Sequence, residues 1–265
     1  MKQEILWVLG ALALAGLGTY FYFQRRDAAP EQQQDVQVQQ PSEGTGGPKI
    51  ENPLPAPEPE APPLPKLKES DPAVRDALTV VVGDQAVAKY LVPQEVIRRF
   101  VVTVDNLPRK KLAVELRPVK TVPGEFVPSG GADSVVLDAE NYARYAPLIK
   151  VVQAADAKQL AALYRRFYPL LQESYENLGY PSAYFNDRMV QVIDHLLETP
   201  DIKGQIRLVQ PSVYYQFADP ALESRSAGQK LLIRMGSDNA AALKAKLKEF
   251  RAEIAKTPPA AATSP

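Results

Sequence analysis

The sequence predicts an α+β, predominantly helical protein: one compact domain with a few short strands, behind an N-terminal transmembrane helix and a disordered linker. Three observations predict it. Residues 5–23 carry no charged side chain. Prolines crowd the stretch that follows: ten of the 25 fall in residues 27–69, while the far longer stretch 70–256 holds twelve. From Ser70 onward apolar residues recur at helical spacing, and only the regions around 112–137 and 206–217 lose that period. The domain boundaries follow: an anchor with its flanks over 1–26, a Pro/Gln/Glu-rich linker over 27–69, a globular domain over 70–256 and a disordered tail over 257–265.

The uncharged run is 19 residues long. At ~1.5 Å per helical residue it covers about 28 Å, close to a ~30 Å hydrocarbon core. Trp7 lies near one end and Tyr20-Phe-Tyr-Phe23 near the other, where amphipathic rings favour the headgroup level. Cleavage after Ala13-x-Ala15 would leave Leu17 and the aromatic quartet on the mature chain, so the run reads as an uncleaved anchor. Ala11, Ala15 and Thr19 form a small-residue stripe of the kind that allows weak homo-association between such helices.

Lys2 before the span and Arg25 and Arg26 after it barely discriminate orientation. The linker decides it. Residues 27–69 carry three basic and eight acidic side chains, and the run Glu51-Asn-Pro-Leu-Pro-Ala-Pro-Glu-Pro-Glu-Ala-Pro-Pro-Leu-Pro65 has too little apolar surface to fold. Polyproline II at ~3.1 Å per residue gives this linker a reach of about 130 Å. An acidic, stiffened spacer behind an anchor suits a domain held away from an inner membrane, in the periplasm of an envelope; an inert cytoplasmic tether is the alternative.

Within the domain, Ser70-Asp-Pro72 reads as a helix start, with a capping side chain before proline in the first turn; the helix runs to about Val82, with a short second helix to Leu91. Val96, Ile97, Phe100, Val101, Val104 and Leu107 share one side of a third helix. Strands are expected at 112–117 and 134–137, amid Pro118, Pro123, Pro128 and Gly130-Gly131. Helix returns near Ala139. Asp156-Ala-Lys-Gln159 resembles a capping box opening the longest helix, whose stripe Leu160, Tyr164, Phe167, Leu171, Ser174 and Leu178 keeps its phase through Pro169. The next helix, about 183–198, turns Met189, Val190, Ile193, Leu196 and Leu197 inward. Residues 206–210 and 213–217 read as a hairpin, Asp219-Pro220 as a short helix, 226–235 as another, and Asp238 as the cap of a last helix with Leu243, Leu247, Phe250 and Ile254 inward.

Several of these segments are distinctive together: Asp105-Asn-Leu-Pro108, Asn141-Tyr-Ala-Arg-Tyr145, Leu163-Tyr-Arg-Arg-Phe-Tyr-Pro-Leu170, Leu178-Gly-Tyr-Pro181, Phe185-Asn-Asp-Arg188, Ile193-Asp-His-Leu-Leu197, Asp219-Pro-Ala-Leu-Glu223 and Gly228-Gln-Lys-Leu231. With Ser70-Asp-Pro72 they resemble the bacterial domain-of-unknown-function family 3014, over nearly all of residues 64–256. The resemblance implies the same layout of anchor, proline-rich spacer and domain in a bacterial envelope. It implies no activity, so no catalytic residue carries over.

Composition excludes much chemistry. With no cysteine there is no disulfide, thiolate metal site or thiol nucleophile, and a formal net charge of zero argues against nucleic acid as partner. No G-x-S-x-G, S-x-x-K or phosphate-binding glycine loop is present, so no cofactor and no metal is expected. His195 is the only histidine; with Asp194 or a neighbour orienting it, it is the candidate for acid–base work. Asp187, Asp194, Asp219 and Glu223 are the carboxylates that folding would have to bring together for a metal. Tyr145, Tyr168 and Tyr184, with Arg144, Arg165 and Arg188 nearby, supply candidate walls for a peptide or glycan groove. The reading that results is a membrane-anchored module that contacts the bilayer through residues 5–23 and binds a protein or cell-wall partner. The alternative is an envelope hydrolase or transferase using His195 with nearby carboxylates.

Overall fold

The computed structural model describes residues 49–55, 62–131 and 135–255. The expected anchor and the tail lie outside the described residues, and among these no helix is long and apolar enough to cross a membrane. Among the described residues nine α-helices run in order: α1 Asp71–Val82, α2 Asp84–Tyr90, α3 Val96–Asn106, α4 Glu140–Ala154, α5 Ala157–Glu176, α6 Phe185–Leu197, α7 Pro220–Glu223, α8 Ala227–Arg234 and α9 Ser237–Ile254. Two small antiparallel hairpins complete the described part: β1 Pro128–Ser129 with β2 Val136–Leu137, and β3 Leu208–Val209 with β4 Gln216–Phe217. The domain is thus predominantly helical with a few short strands.

The main core gathers the apolar stripes of α1, α3, α5, α6 and α9. The periodicity of the sequence places them correctly: Leu160, Tyr164, Phe167 and Leu171 of α5, Met189, Val190, Ile193 and Leu196 of α6, and Leu243, Leu247, Phe250 and Ile254 of α9 are all buried. Phe185, fully buried, sets its ring edge-on to Phe100 at 6.4 Å and beside Tyr175 at 5.2 Å. Burying such a ring contributes roughly 1.5–3 kcal/mol. A second, smaller cluster of Leu137, Ile206, Leu208, Phe217 and Ile233 sits between the hairpins and α8. An isolated bridge between Val136 and Arg207 joins the hairpins.

Three expectations need correction. Residues 112–117 form no strand but a single 3₁₀ turn at Val114–Leu116, because the Arg99 guanidinium on α3 takes the carbonyls of Glu115 (2.6 Å) and Arg117 (3.3 Å) that a partner strand would need. Ser70 makes no side-chain cap to α1 and donates instead to Leu67 O. Its neighbour Asp71 reaches across to the N-terminus of α3, accepting from Glu95 N and Val96 N, each at 2.8 Å. Asp238 caps nothing, since α9 begins one residue earlier behind Gly236 at φ 87°. Asp156, by contrast, caps α5 through Gln159 N at 2.8 Å as its spacing predicts.

Residues 49–55 and 62–69, assigned by composition to the disordered stretch, lie against the domain, with Leu54, Leu64 and Leu67 packed on the main core.

Candidate functional site

Gly179, at φ 104°, and Pro181 turn the chain out of α5 and into α6, with Tyr184 in extended conformation as the N-terminal boundary residue of α6. The turn sets four consecutive side chains to different tasks. Phe185 enters the core. Asn186, although polar, is completely buried. Tyr184 and Asp187 face outward, half-buried.

Burial forces Asn186 to satisfy every polar group it carries. Its backbone N–H donates to the Tyr168 hydroxyl at 3.1 Å, and its side-chain oxygen accepts from the Tyr164 hydroxyl at 3.1 Å. Its amide nitrogen has two hydrogens, and both are used: one on Ile254 O at 2.9 Å, the other on Asn52 O at 2.8 Å. Burial pushes the hydroxyls of Tyr164 and Tyr168 well up, so both stay protonated around neutrality. Tyr164 also walls an apolar cavity of about 100 Å³.

Asn52 belongs to the linker, and the face built by Tyr184, Asn186 and Asp187 holds the linker as a strap. The Asp187 carboxylate accepts from Glu51 N at 3.0 Å, Asn52 N at 2.6 Å and Asn52 Nδ2 at 3.1 Å. The Tyr184 hydroxyl accepts from Leu54 N at 3.1 Å. Pro53 has no N–H, so every backbone donor from Glu51 to Leu54 is paired. Asp187 sits in the first turn of α6, where the helix dipole favours a negative charge. Tyr168 and Tyr184 stand 5.3 Å apart, tilted by 56°, behind the strap.

The other residues singled out from sequence go elsewhere. Arg188, next to Asp187, turns inward to Asp105, which is only 4% exposed. The Asp105 carboxylate accepts from Arg188 Nε at 3.1 Å, Arg109 Nη2 at 2.5 Å and, more distantly, the Tyr180 hydroxyl at 3.4 Å. Burial first, then the charge of Asp105, pushes the Tyr175 hydroxyl up to about 12, with Arg188 and Arg109 opposing. Arg144, on α4, donates to Glu125 O and to Asn141 Oδ1, and Arg165 donates to Glu253 O at 3.1 Å. Tyr145 is buried in the main core.

Asp194 does not orient His195. It pairs side-on with Arg251 of α9, Nε–Oδ1 at 2.5 Å and Nη2–Oδ2 at 2.8 Å. His195 Nε2 lies 2.8 Å from Ser226 Oγ, a spacing an activated serine would show. Ser226, however, is buried and its hydroxyl already accepts from Gln229 N at 3.2 Å as the cap of α8, while Gln229 Nε2 donates to His195 O at 3.0 Å. The pair clips α6 to α8. Asp219 caps α7 through Ala221 N, and Glu223 pairs with Lys230 at 2.7 Å. Each of the four carboxylates is therefore engaged with a different partner, and among the described residues no group of three or more His, Cys, Asp or Glu is placed to hold a metal ion.

Asn186 and Asp105 were not among the candidates, although both stand in segments that carry the family resemblance. A buried Asn beside an outward Asp has no periodic signal of its own. The hint available was an apolar-flanked Phe-Asn-Asp-Arg at a helix start, where polar side chains are free to reach off the helix axis.

A family model described as a protein of unknown function, DUF3014, matches residues 96–251, which include every residue of the receiving face but none of the strap. No curated protein and no solved structure matches the chain.

Proposed function

Because this chain belongs to the DUF3014 family, whose description names no activity, we propose its role from the site: a single-pass membrane-anchored envelope protein whose domain is a binding module for an extended segment of a protein partner. The observation that carries this reading is the α6 face, which pairs every backbone N–H of residues 51–54 through Asp187 and Tyr184. A face that satisfies main-chain donors in series does what peptide-recognition grooves do. Residues 5–23 supply the anchor, and the acidic spacer supports a position in the periplasm, facing away from the inner membrane.

The hydrolase or transferase reading rests on His195 with nearby carboxylates; of these, Asp194 pairs with Arg251 and not with His195. The binding reading is tested by placing a photo-crosslinking residue at Tyr168 of the full chain in living bacteria. Capture of a defined partner is the expected result. Capture of none, together with turnover of a wall or lipid substrate that His195→Ala abolishes, overturns it. A reporter fused after Pro265 reads the compartment: activity confined to the cytoplasm overturns the periplasmic placement.

A further inference from the structure

The strap is a bound peptide that happens to be covalently attached, and its contacts state what the face selects. Asp187 reads two features at once, consecutive main-chain N–H groups and the side-chain amide of Asn52. Asn186, fixed by the Tyr164 and Tyr168 hydroxyls and by Ile254 O, presents one N–H to the carbonyl of that same asparagine. The next position tolerates proline without penalty, because the face offers no acceptor there and proline needs none. The position after it must carry an N–H for Tyr184, and its side chain, Leu54, packs on the core half-buried. Asparagine, proline, then an apolar residue is the pattern the geometry accepts.

Attachment of the strap is shallow. Glu51, Pro53 and Pro55 are exposed, Ile50 is 48% exposed, and only Asn52 and Leu54 are half-buried. Segments held by so few buried contacts open at low free energy. We infer that the Tyr184–Asn186–Asp187 face is a recognition site for an extended Asn-Pro-apolar segment of another protein, and that residues 51–54 occupy it in cis as a competitor the partner displaces. This inference rests on the peptide-binding reading and specifies the partner by its sequence chemistry. An internal competitor on a short tether acts at an effective concentration on the order of millimolar, so it weakens any partner segment by a large factor while intact.

The experiment uses the full chain in detergent micelles and a fluorescent peptide of residues 49–56, Lys-Ile-Glu-Asn-Pro-Leu-Pro-Ala. Its anisotropy is titrated with the wild type and with the double variant Asn52→Ala, Leu54→Ala, which removes the strap's side-chain contacts and so loosens it while leaving the face itself unchanged. The double variant is expected to bind the peptide at least ~10-fold more tightly than the wild type. Adding Asp187→Ala to it, or replacing the peptide's asparagine by alanine, is expected to lose at least ~10-fold. The peptide substitution leaves the protein untouched, so the result stands even if a protein variant folds poorly. Equal binding by wild type and double variant overturns the inference, as does indifference to the peptide's asparagine. Exchange of straps between two differently tagged copies, seen as a mixed dimer that the peptide fails to dissolve, also overturns it by making a second copy the occupant. A partner captured in cells without an Asn-Pro-apolar segment defeats this inference and leaves the binding reading standing; peptide binding with no cellular partner defeats both.

Discussion

Asp105 and Asp187 each draw several donors onto one carboxylate, but the donors come from different kinds of chain. Around Asp105 they are Arg188 of α6, Arg109 just past α3, and Tyr180 at the turn before α6. These elements are already locked by core packing, and the neighbourhood continues the pattern. The carbonyls just past α3 are taken up by the start of α8, with Gly228 N donating to Leu107 O at 2.9 Å and Ala227 N to Arg109 O at 2.7 Å. Around Asp187 the donors are three N–H groups of a strap held by two half-buried side chains. The same residue type serves architecture in one place and recognition in the other. What separates them is whether the partner would stay put without the hydrogen bond.

The largest effect expected is at the architectural end. Asp105→Ala takes the carboxylate away from both guanidinium groups, leaving Arg188 the backbone oxygen of residue 105, now 2.9 Å away, and Arg109 the Tyr180 hydroxyl, now at 2.8 Å. Removing one member of a buried pair costs ~3–5 kcal/mol, and the half-exposed Arg109 brings the figure toward ~3. The thermal midpoint should fall by roughly 6–10 °C. A variant as stable as the wild type would mean the Asp105 cluster is not what ties α3 to α6.

Next comes the contact of α8 with α6. A Cβ built at Gly228 meets Leu196 Cδ2 at 2.6 Å and the backbone oxygen of Leu107 at 3.1 Å. Gly228→Ala therefore overfills a closed joint, at a cost of ~1–3 kcal/mol measured by urea unfolding. If the junction is as rigid as its hydrogen bonds imply, binding at the α6 face should be unchanged in that variant at temperatures where it is folded.

The two regions were not equally legible in the sequence. Helices and their buried faces were, because apolar side chains at 3.6-residue spacing carry the signal directly, as in α5, α6 and α9. The failed strand at 112–117 shows the limit of that signal: β-like composition does not reveal that Arg99, far off in the chain, will occupy the carbonyls. Asp71 stands at the boundary the spacing predicts for α1, yet its carboxylate serves α3, since reach across space leaves no mark on spacing. The strap was invisible for a deeper reason. Its proline-rich composition states correctly that it cannot fold alone, and nothing in it states that another surface satisfies its N–H groups. Tyr168, Tyr184 and Asp187 were picked out by type and do meet at one face. His195 and Asp194 were picked out the same way and turned out to be clips to α8 and α9.

At the recognition end the expected global effect is small and the local one large. Asp187→Ala removes acceptors only from a shallow segment, so the unfolding free energy should move by no more than about 0.5 kcal/mol. Amide exchange at Asn52 and Leu54 should nevertheless quicken at least ~10-fold while Ala227 and Gly228 at the α3–α8 joint keep their protection. Loss of protection at both places would make the strap part of the cooperative unit and erase the distinction between the two regions.

The smallest effect is a dependence on pH that should belong to the α8 side alone. Burial pushes the Glu223 carboxyl up, but the Lys230 hydrogen bond, the Phe217 N–H and the charges of Lys230 and Arg234 outweigh it and hold the group below the ordinary carboxylate range. A carboxyl depressed in the folded state takes up its proton more readily once unfolded. Its contribution to stability is therefore complete above the unfolded value and is lost as pH falls through the folded one. Urea midpoints of the wild type and Glu223→Gln, followed between about pH 3 and 7, should differ at the upper end and converge at the lower. The group is partly exposed, so solvent screening keeps the difference modest. A constant offset for Glu223→Gln would sink the assignment of acid sensitivity to the α8 side.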